Sequence, residues 1–235
     1  MCDPDTPNRA EYWNPASLTY RFLVEAKRLW EMEANIAHIS TIQAGMILNG
    51  ISNLSGLDEL GHVYRTHCIT LADRMNLYDG PVTGKSERSR QCQIYTAWAL
   101  FCWDAYVPMF YVYCSSDIRS LLAFSLQQAP LVPRPPYDPV PSSRESPEWY
   151  AQIWLRYPEH SVPINANFGV FFEYRARFRI IMAQYCNAAY GKQRDAALSI
   201  IDAHLYRLQM LEWFESLPDS LRPENIVLPP QLQLQ

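Results

Sequence analysis

Glycine is scarce in this chain, with 8 in 235 residues. That is about half the usual share of roughly 7%. Phosphate-cradling loops and the tight turns of an all-β barrel both depend on glycine, so nucleotide-binding α/β folds and barrels are disfavoured. Charge is also thin, at 19% against a usual figure near 25%. The net charge of −4 gives no basic footprint for DNA or RNA. No two cysteines form a CxxC pair, and the six (Cys2, Cys68, Cys92, Cys102, Cys114 and Cys186) lie ten or more residues apart. A zinc cluster needs ligands at short spacings, so none is expected. The first ten residues, MCDPDTPNRA, lack the apolar centre of a secretory leader. A reducing compartment is the expectation, with the cysteines free.

What is abundant is aromatic: 7 Trp, 15 Tyr and 9 Phe. With 49% hydrophobic residues the composition excludes disorder for most of the chain. A chain of this length buries roughly 70% of its unfolded surface and needs no metal or disulfide to hold a core. Low charge with many aromatics also suggests more apolar surface than one small domain can hide.

Hydrophobic periodicity points to an all-α fold, an irregular array of six to seven helices. Asn14-Pro15 reads as a helix start, followed by Phe22, Leu23, Ala26, Leu29 and Trp30 on one face. A second segment carries Ile36, Ile39, Met46, Ile47, Ile51 and Leu54. Its Gly45 and Gly50 either weaken it or mark close helix packing. A third carries Leu57, Leu60, Tyr64, Leu71 and Met75, with a stop at Asp79-Gly80-Pro81. A fourth begins near Ser86 and carries Tyr95, Trp98, Phe101 and Ala105, with Pro108 expected to kink or end it. Residues 109–113, MFYVY, read equally as a short strand, and a short helix is expected near 117–125. Two strong helices close the pattern, one through Phe168, Phe171, Phe172, Phe178, Met182 and Tyr185 to Gly191, the other through Leu198, Ile201, Leu205, Leu208 and Leu211 to Pro218.

Ahead of these two helices, seven of the 18 prolines crowd into residues 130–147. No helix or central strand tolerates that density, so an extended loop is expected, read as a connector rather than a docking site. The domain reading is a polar N-terminal segment, 1–16, and one helical domain, 17–235. The 21 residues Ile94–Cys114 carry one charge and are long enough to span a bilayer. Asp104 at their centre, Tyr spread throughout and Pro108 favour a buried helix of a soluble domain instead.

The search for chemistry finds fragments. Glu59-x-x-His62 has the spacing of a di-iron half-site, but no other Glu has a His three residues on. His62 and His67 are five apart and do not share a helix face. There is no Gly-x-Ser-x-Gly nucleophile turn and no Asp-rich motif of a terpene cyclase. Arg175, Arg177 and Arg179 alternate around a helix, so they read as salt-bridge partners rather than as a phosphate site. Asp104 is the unusual residue. A carboxylate on an apolar helix needs a partner, and Arg88, Arg90 or an arginine of another helix is the expected one.

Three ordered passages resemble the middle homology region, the regulatory domain of fungal zinc-cluster transcription factors. The first is Thr41 to Leu48 (TIQAGMIL) with Ile69 to Tyr78 (ITLADRMNLY). The second is Glu87-Arg88-Ser89-Arg90 followed by Thr96 to Asp104 (TAWALFCWD), similar to that family's Glu, Arg and Trp-x-x-Phe-x-x-Asp helix. The third is Trp213-Phe214-Glu215-Ser216-Leu217-Pro218 with Leu221-Arg222-Pro223-Glu224-Asn225. The family's six-cysteine zinc cluster is missing, and Cys114 to Arg119 replaces its Gly-Arg-Pro. The chain is therefore expected to be an internal fragment, a truncated product or a stand-alone relative, incomplete at its C-terminal end.

The resemblance implies a non-enzymatic nuclear regulator of transcription. It implies no cofactor in this chain, since zinc belongs to the missing cluster, and no direct contact with nucleic acid. The implied partners are other proteins or the rest of a larger regulator, with a small-molecule effector in some members; self-association is expected from the uncovered apolar surface. Trp98, Phe101, Trp103, Asp104, Arg88 and Arg90 are the motif residues, with a framework role rather than a catalytic one. Two rival readings stand beside it. One is an all-α binding domain or enzyme with an aromatic pocket near Trp98, Trp103 and Tyr106. The other is an interaction module that uses the Pro-rich loop.

Overall fold

The computed structural model describes residues 11, 13–84, 86–114, 129–144, 147–150, 153–156, 162–191 and 198–225, and the side chains of these except at 105–114. Six α-helices form the described fold: α1 (Leu18–Glu33), α2 (Ile39–Leu54), α3 (Asp58–Arg74), α4 (Glu87–Cys114), α5 (Phe168–Tyr190) and α6 (Ile200–Glu215). A two-stranded antiparallel ladder, β1 (Trp154–Leu155) with β2 (Ile164–Asn165), is the one sheet among the described residues. It pairs Trp154 with Asn165 and Leu155 with Ile164. The fold is all-α, as the periodicity predicts. The short helix expected near 117–125 lies outside the described residues. No helix among the described residues is long and apolar enough to cross a membrane.

The chain divides into two compact units at Met75/Asn76, where the sequence reading drew one domain from residue 17. In the first unit, Ser17 rather than Asn14 caps α1, and its side chain accepts from the Tyr20 N–H at 3.1 Å. Asn14 closes a turn just before it, accepting from the Ala16 N–H. Helices α2 and α3 pack most closely. Asn49 donates to the Gly61 carbonyl across them at 2.6 Å, inside the core. A Cβ added at Gly45 would overlap the Cys68 Sγ and the Trp30 ring, so this glycine marks a close approach. Gly50 has nothing within 4 Å, so no such approach occurs there.

Of the apolar stripe read on α1, only Trp30 is buried. Phe22 is 75% exposed and Leu29 44%. Helix α3 stops earlier than Asp79-Gly80-Pro81. It ends at Arg74, with Asn76 in the left-handed region at φ 53°. Asn tolerates that region because its short polar side chain compensates locally.

In the second unit, α4 runs unbroken through Pro108 to Cys114. The helix does not end at Pro108, and residues 109–113 are helix rather than strand. Five preceding turns are already formed, and adding residues to a formed helix costs far less than nucleating one. Residues 129–144 run as an extended strap that leads into a single 3-10 turn at Pro147–Trp149. Helix α5 packs on α4, and α6 on α5. Gly191 ends α5 in extended backbone, as its position predicts. Phe171, Trp213, Leu217 and Leu221 form one core cluster, with Tyr174 and Phe178 against it.

Candidate functional site

The motif helix α4 presents two different faces. Glu87, Arg88 and Arg90 lie on its first turn, Glu87 and Arg88 exposed and Arg90 half-buried. Ile94, Ala97, Trp98, Leu100, Phe101 and Cys102 are buried. Trp98 and Phe101 meet edge to face at 5.6 Å, a favoured geometry for aromatic quadrupoles. Phe101 is fully buried and Trp103 only partly.

Asp104 is 1% exposed, so solvent does not carry its charge. Its Oδ2 accepts the Val132 N–H at 2.9 Å. One turn and a half earlier, the Trp98 indole N–H donates to the Asp138 carbonyl at 2.9 Å. The Asp138 carboxylate in turn accepts the Val82 N–H at 2.7 Å and stands 3.8 Å from Arg90. These bonds tie the Pro-rich strap along α4. Helix α5 ties it from a second side: Asn187 donates to the Pro133 carbonyl, and Glu173 accepts from both the N–H and the hydroxyl of Ser143. The Tyr150 hydroxyl donates to the Pro141 carbonyl. Proline leaves carbonyls without matching N–H donors of its own, and these side chains supply what the strap's backbone lacks.

The expected ion pair of Asp104 with Arg88 or Arg90 does not form. Arg90 stands 3.7 Å from Glu87 and 3.8 Å from Asp138. Residues 90 and 104 are about 21 Å apart along a straight helix, at 1.5 Å per residue. Arginines of another helix do reach this region. Arg179 on α5 is 1% exposed, and the charges of Arg175 and Arg179 act on the Cys102 thiol. The Asp104 charge acts on Cys186. The α4–α5 interface thus holds charges of both signs. Arg177 leaves the other two, as its spacing predicts, and pairs with Glu173 at 2.6 Å.

Burial dominates the chemistry of the thiols. It pushes Cys102 up to about 12, the two arginines offsetting part of the rise. Cys68 is pushed up to about 12 and Cys186 to about 11, again mainly by burial. Thiols in this state are poor nucleophiles.

The Glu59-x-x-His62 pair holds no metal-site geometry. His62 Nδ1 stands 2.8 Å from an Arg65 guanidinium nitrogen. Burial and that cation together lower the His62 pKa. His67 contacts the Ala34 carbonyl at 2.6 Å and packs edge-on to Trp30. Among the described residues, no three His, Cys, Asp or Glu side chains gather where a metal ion could sit.

Tyr95, Trp149, Tyr150, Phe168 and Phe172 form a second aromatic cluster that the sequence search did not single out. Its neighbouring ring centroids lie 5.3 to 6.4 Å apart. At that spacing the rings pack on one another. A cleft of about 300 Å³ lies elsewhere, against Phe214, Glu215, Arg222, Pro223 and Glu224.

The third passage of the resemblance is a tie as well. The Trp213 indole donates to the Tyr174 carbonyl at 3.0 Å and stacks on Phe178 at 4.4 Å. Leu217 and Leu221 are buried beneath it, and Asn225 donates to the Asp219 carbonyl. Comparison with protein-family models, with curated proteins and with solved structures returned no match for this chain.

Proposed function

We propose that this chain is a non-enzymatic, all-α regulatory domain of the kind found in the middle of fungal zinc-cluster transcription factors, acting in the nucleus on transcription without contacting DNA itself. The observation that supports this reading best is the use made of the motif helix. Trp98 and Asp104, two of the polar-capable residues of TAWALFCWD, each hydrogen-bond to the backbone of the Pro-rich strap. A residue committed to holding backbone is a framework residue, and Trp213 in the third passage is committed in the same way. Framework roles in the second and third passages support a scaffold reading. The strap is read as a built-in part of the domain, and the partners as other proteins or further parts of a larger regulator.

The test is a fusion of the full chain to an unrelated DNA-binding domain, with a reporter gene carrying that domain's site. A change in reporter output of several-fold, in either direction, is expected, with nuclear accumulation of a fluorescently tagged chain in a fungal cell. Unchanged output with the fusion stably expressed rejects the reading. So does a sequence-selective, salt-sensitive shift of duplex DNA by the purified chain alone, which would show direct DNA contact.

A further inference from the structure

Helix α6 touches its unit by one narrow stripe. Tyr206, Met210 and Trp213, at i, i+4 and i+7, are its least exposed residues. Tyr206 packs on Tyr185, and Trp213 on Phe178. Half a turn round the helix lies a second series: Ile201, His204, Leu208, Leu211 and Glu215, spaced three, four, three, four. That is the a/d spacing of a heptad seam. The apolar members are uncovered, Ile201 at 69%, Leu208 at 48% and Leu211 at 43% exposed. Ile200 and Leu205 flank the seam at 86% and 52%. With Phe214 these side chains expose on the order of 600 Å² of apolar surface, at the top of the range for a monomer's largest patch.

We infer that α6 is a self-association surface, pairing in parallel with α6 of a second copy of this chain. The flanking residues choose this occupant. In a parallel pair, each g residue faces the e residue five positions on in its partner. Here that sets Ile200 against Leu205 of the second copy, and Arg207 against Glu212. One contact is apolar and the other is of opposite charge, and symmetry makes both twice. Neither Arg207 nor Glu212 forms an ion pair among the described residues. Antiparallel pairing would set g against g, leaving Arg207 opposite a second Arg207 or an apolar side chain. Burying both faces removes about 1,200 Å² in all, the lower edge of specific interfaces. The seam lies opposite the stripe that holds α6 to its own unit, so pairing leaves that packing intact. Two heptads are too few for a free peptide, but α6 is already folded against α5, which removes the nucleation cost. This inference does not rest on the transcriptional reading.

The experiment is sedimentation equilibrium of the full chain over a concentration series, with helicity followed by circular dichroism. A reversible dimer is expected. Leu208→Asp, on an exposed position, should give a monomer of unchanged helicity. Arg207→Glu and Glu212→Arg should each weaken the dimer about tenfold, since two attractive pairs become repulsive. Mixed together, the two variants should prefer the heterodimer, in which both pairs are again of opposite charge. The inference is overturned by a native chain that stays monomeric throughout, by a dimer indifferent to Leu208→Asp, or by charge variants that mix without preference. Should Leu208→Asp lose helicity, the charge variants decide the matter alone.

Discussion

The indole of Trp98 donates to the backbone carbonyl of Asp138, 40 residues away, at 2.9 Å. A tryptophan inside a helix thereby fixes the Pro-rich segment, whose carbonyls cannot be met by a helix or sheet of their own. Asp104 repeats the arrangement on the same helix with Val132. The pair turns a stretch with no regular secondary structure into a defined part of the unit.

Asp104→Ala should destabilise the second unit by about 2 kcal/mol, the order expected when a buried hydrogen bond to a charged group is lost. Trp98→Phe keeps an aromatic ring in the core but removes the indole donor and part of the ring volume, so about 1–3 kcal/mol is expected. Urea denaturation monitored by circular dichroism measures both. An Asp104→Ala chain as stable as the native one would show that the strap is not held in this way.

Gly45→Ala should cost about 1–3 kcal/mol through overpacking, because the added methyl meets the Cys68 Sγ and the Trp30 ring. Gly50→Ala meets nothing and should be neutral or stabilising by up to about 1 kcal/mol, from helix propensity. Thermal melting of the two variants side by side separates packing from propensity.

Thiol labelling should discriminate sharply. Cys92 is exposed, whereas Cys68, Cys102 and Cys186 are buried with pKa values pushed up by burial to about 12, about 12 and about 11. Among these four, only Cys92 should react with an alkylating reagent at neutral pH in the native state. Peptide mapping after brief labelling gives the readout. Fast modification of Cys102 would contradict its position between α4 and α5.

Acid should loosen α3. His62 has its pKa lowered by burial and then by Arg65, so the unfolded chain takes up the proton first as pH falls. Stability contributed by neutral His62 is present above the ordinary histidine range and is lost as pH drops through that range toward the lowered value. Protonation also puts two cations at the 2.8 Å contact of His62 with Arg65. His62→Gln should flatten the pH dependence of stability in this window, read from melting temperatures across a pH series.

The helices of this fold were legible because each carries its own local signal. Gly191 marked the end of α5, and the proline density marked an extended strap between α4 and α5. What was missed depended on context. Asn14-Pro15 looked like the start of α1, but Ser17, three residues on, was better placed to accept the Tyr20 N–H. Pro108 looked like a break, but the helix before it was long enough to carry through. Asp104 was rightly singled out as a carboxylate on an apolar helix, and its buried position agrees. The pairing with Arg88 or Arg90 was misread, because a strap amide 28 residues on leaves no trace in local spacing; the other reading, an arginine of a neighbouring helix, stands with Arg179 of α5 buried in the same unit. The cluster of Tyr95, Trp149, Tyr150, Phe168 and Phe172 went unseen for the same reason: its members come from three segments of chain.

Composition and periodicity by themselves determined that this protein is all-α, that its glycine-poor chain disfavours phosphate loops, and that residues 130–147 are ill suited to an α-helix or central strand. Those properties follow from backbone sterics and side-chain repeat, which act over a few residues. Only the tertiary structure decided which apolar faces are covered. Leu29 and Leu208 sit in stripes as regular as that of Phe172, yet Phe172 is buried and the other two are open to solvent. Periodicity tells which residues share a side of a helix; what packs against that side is set by segments far away in the chain.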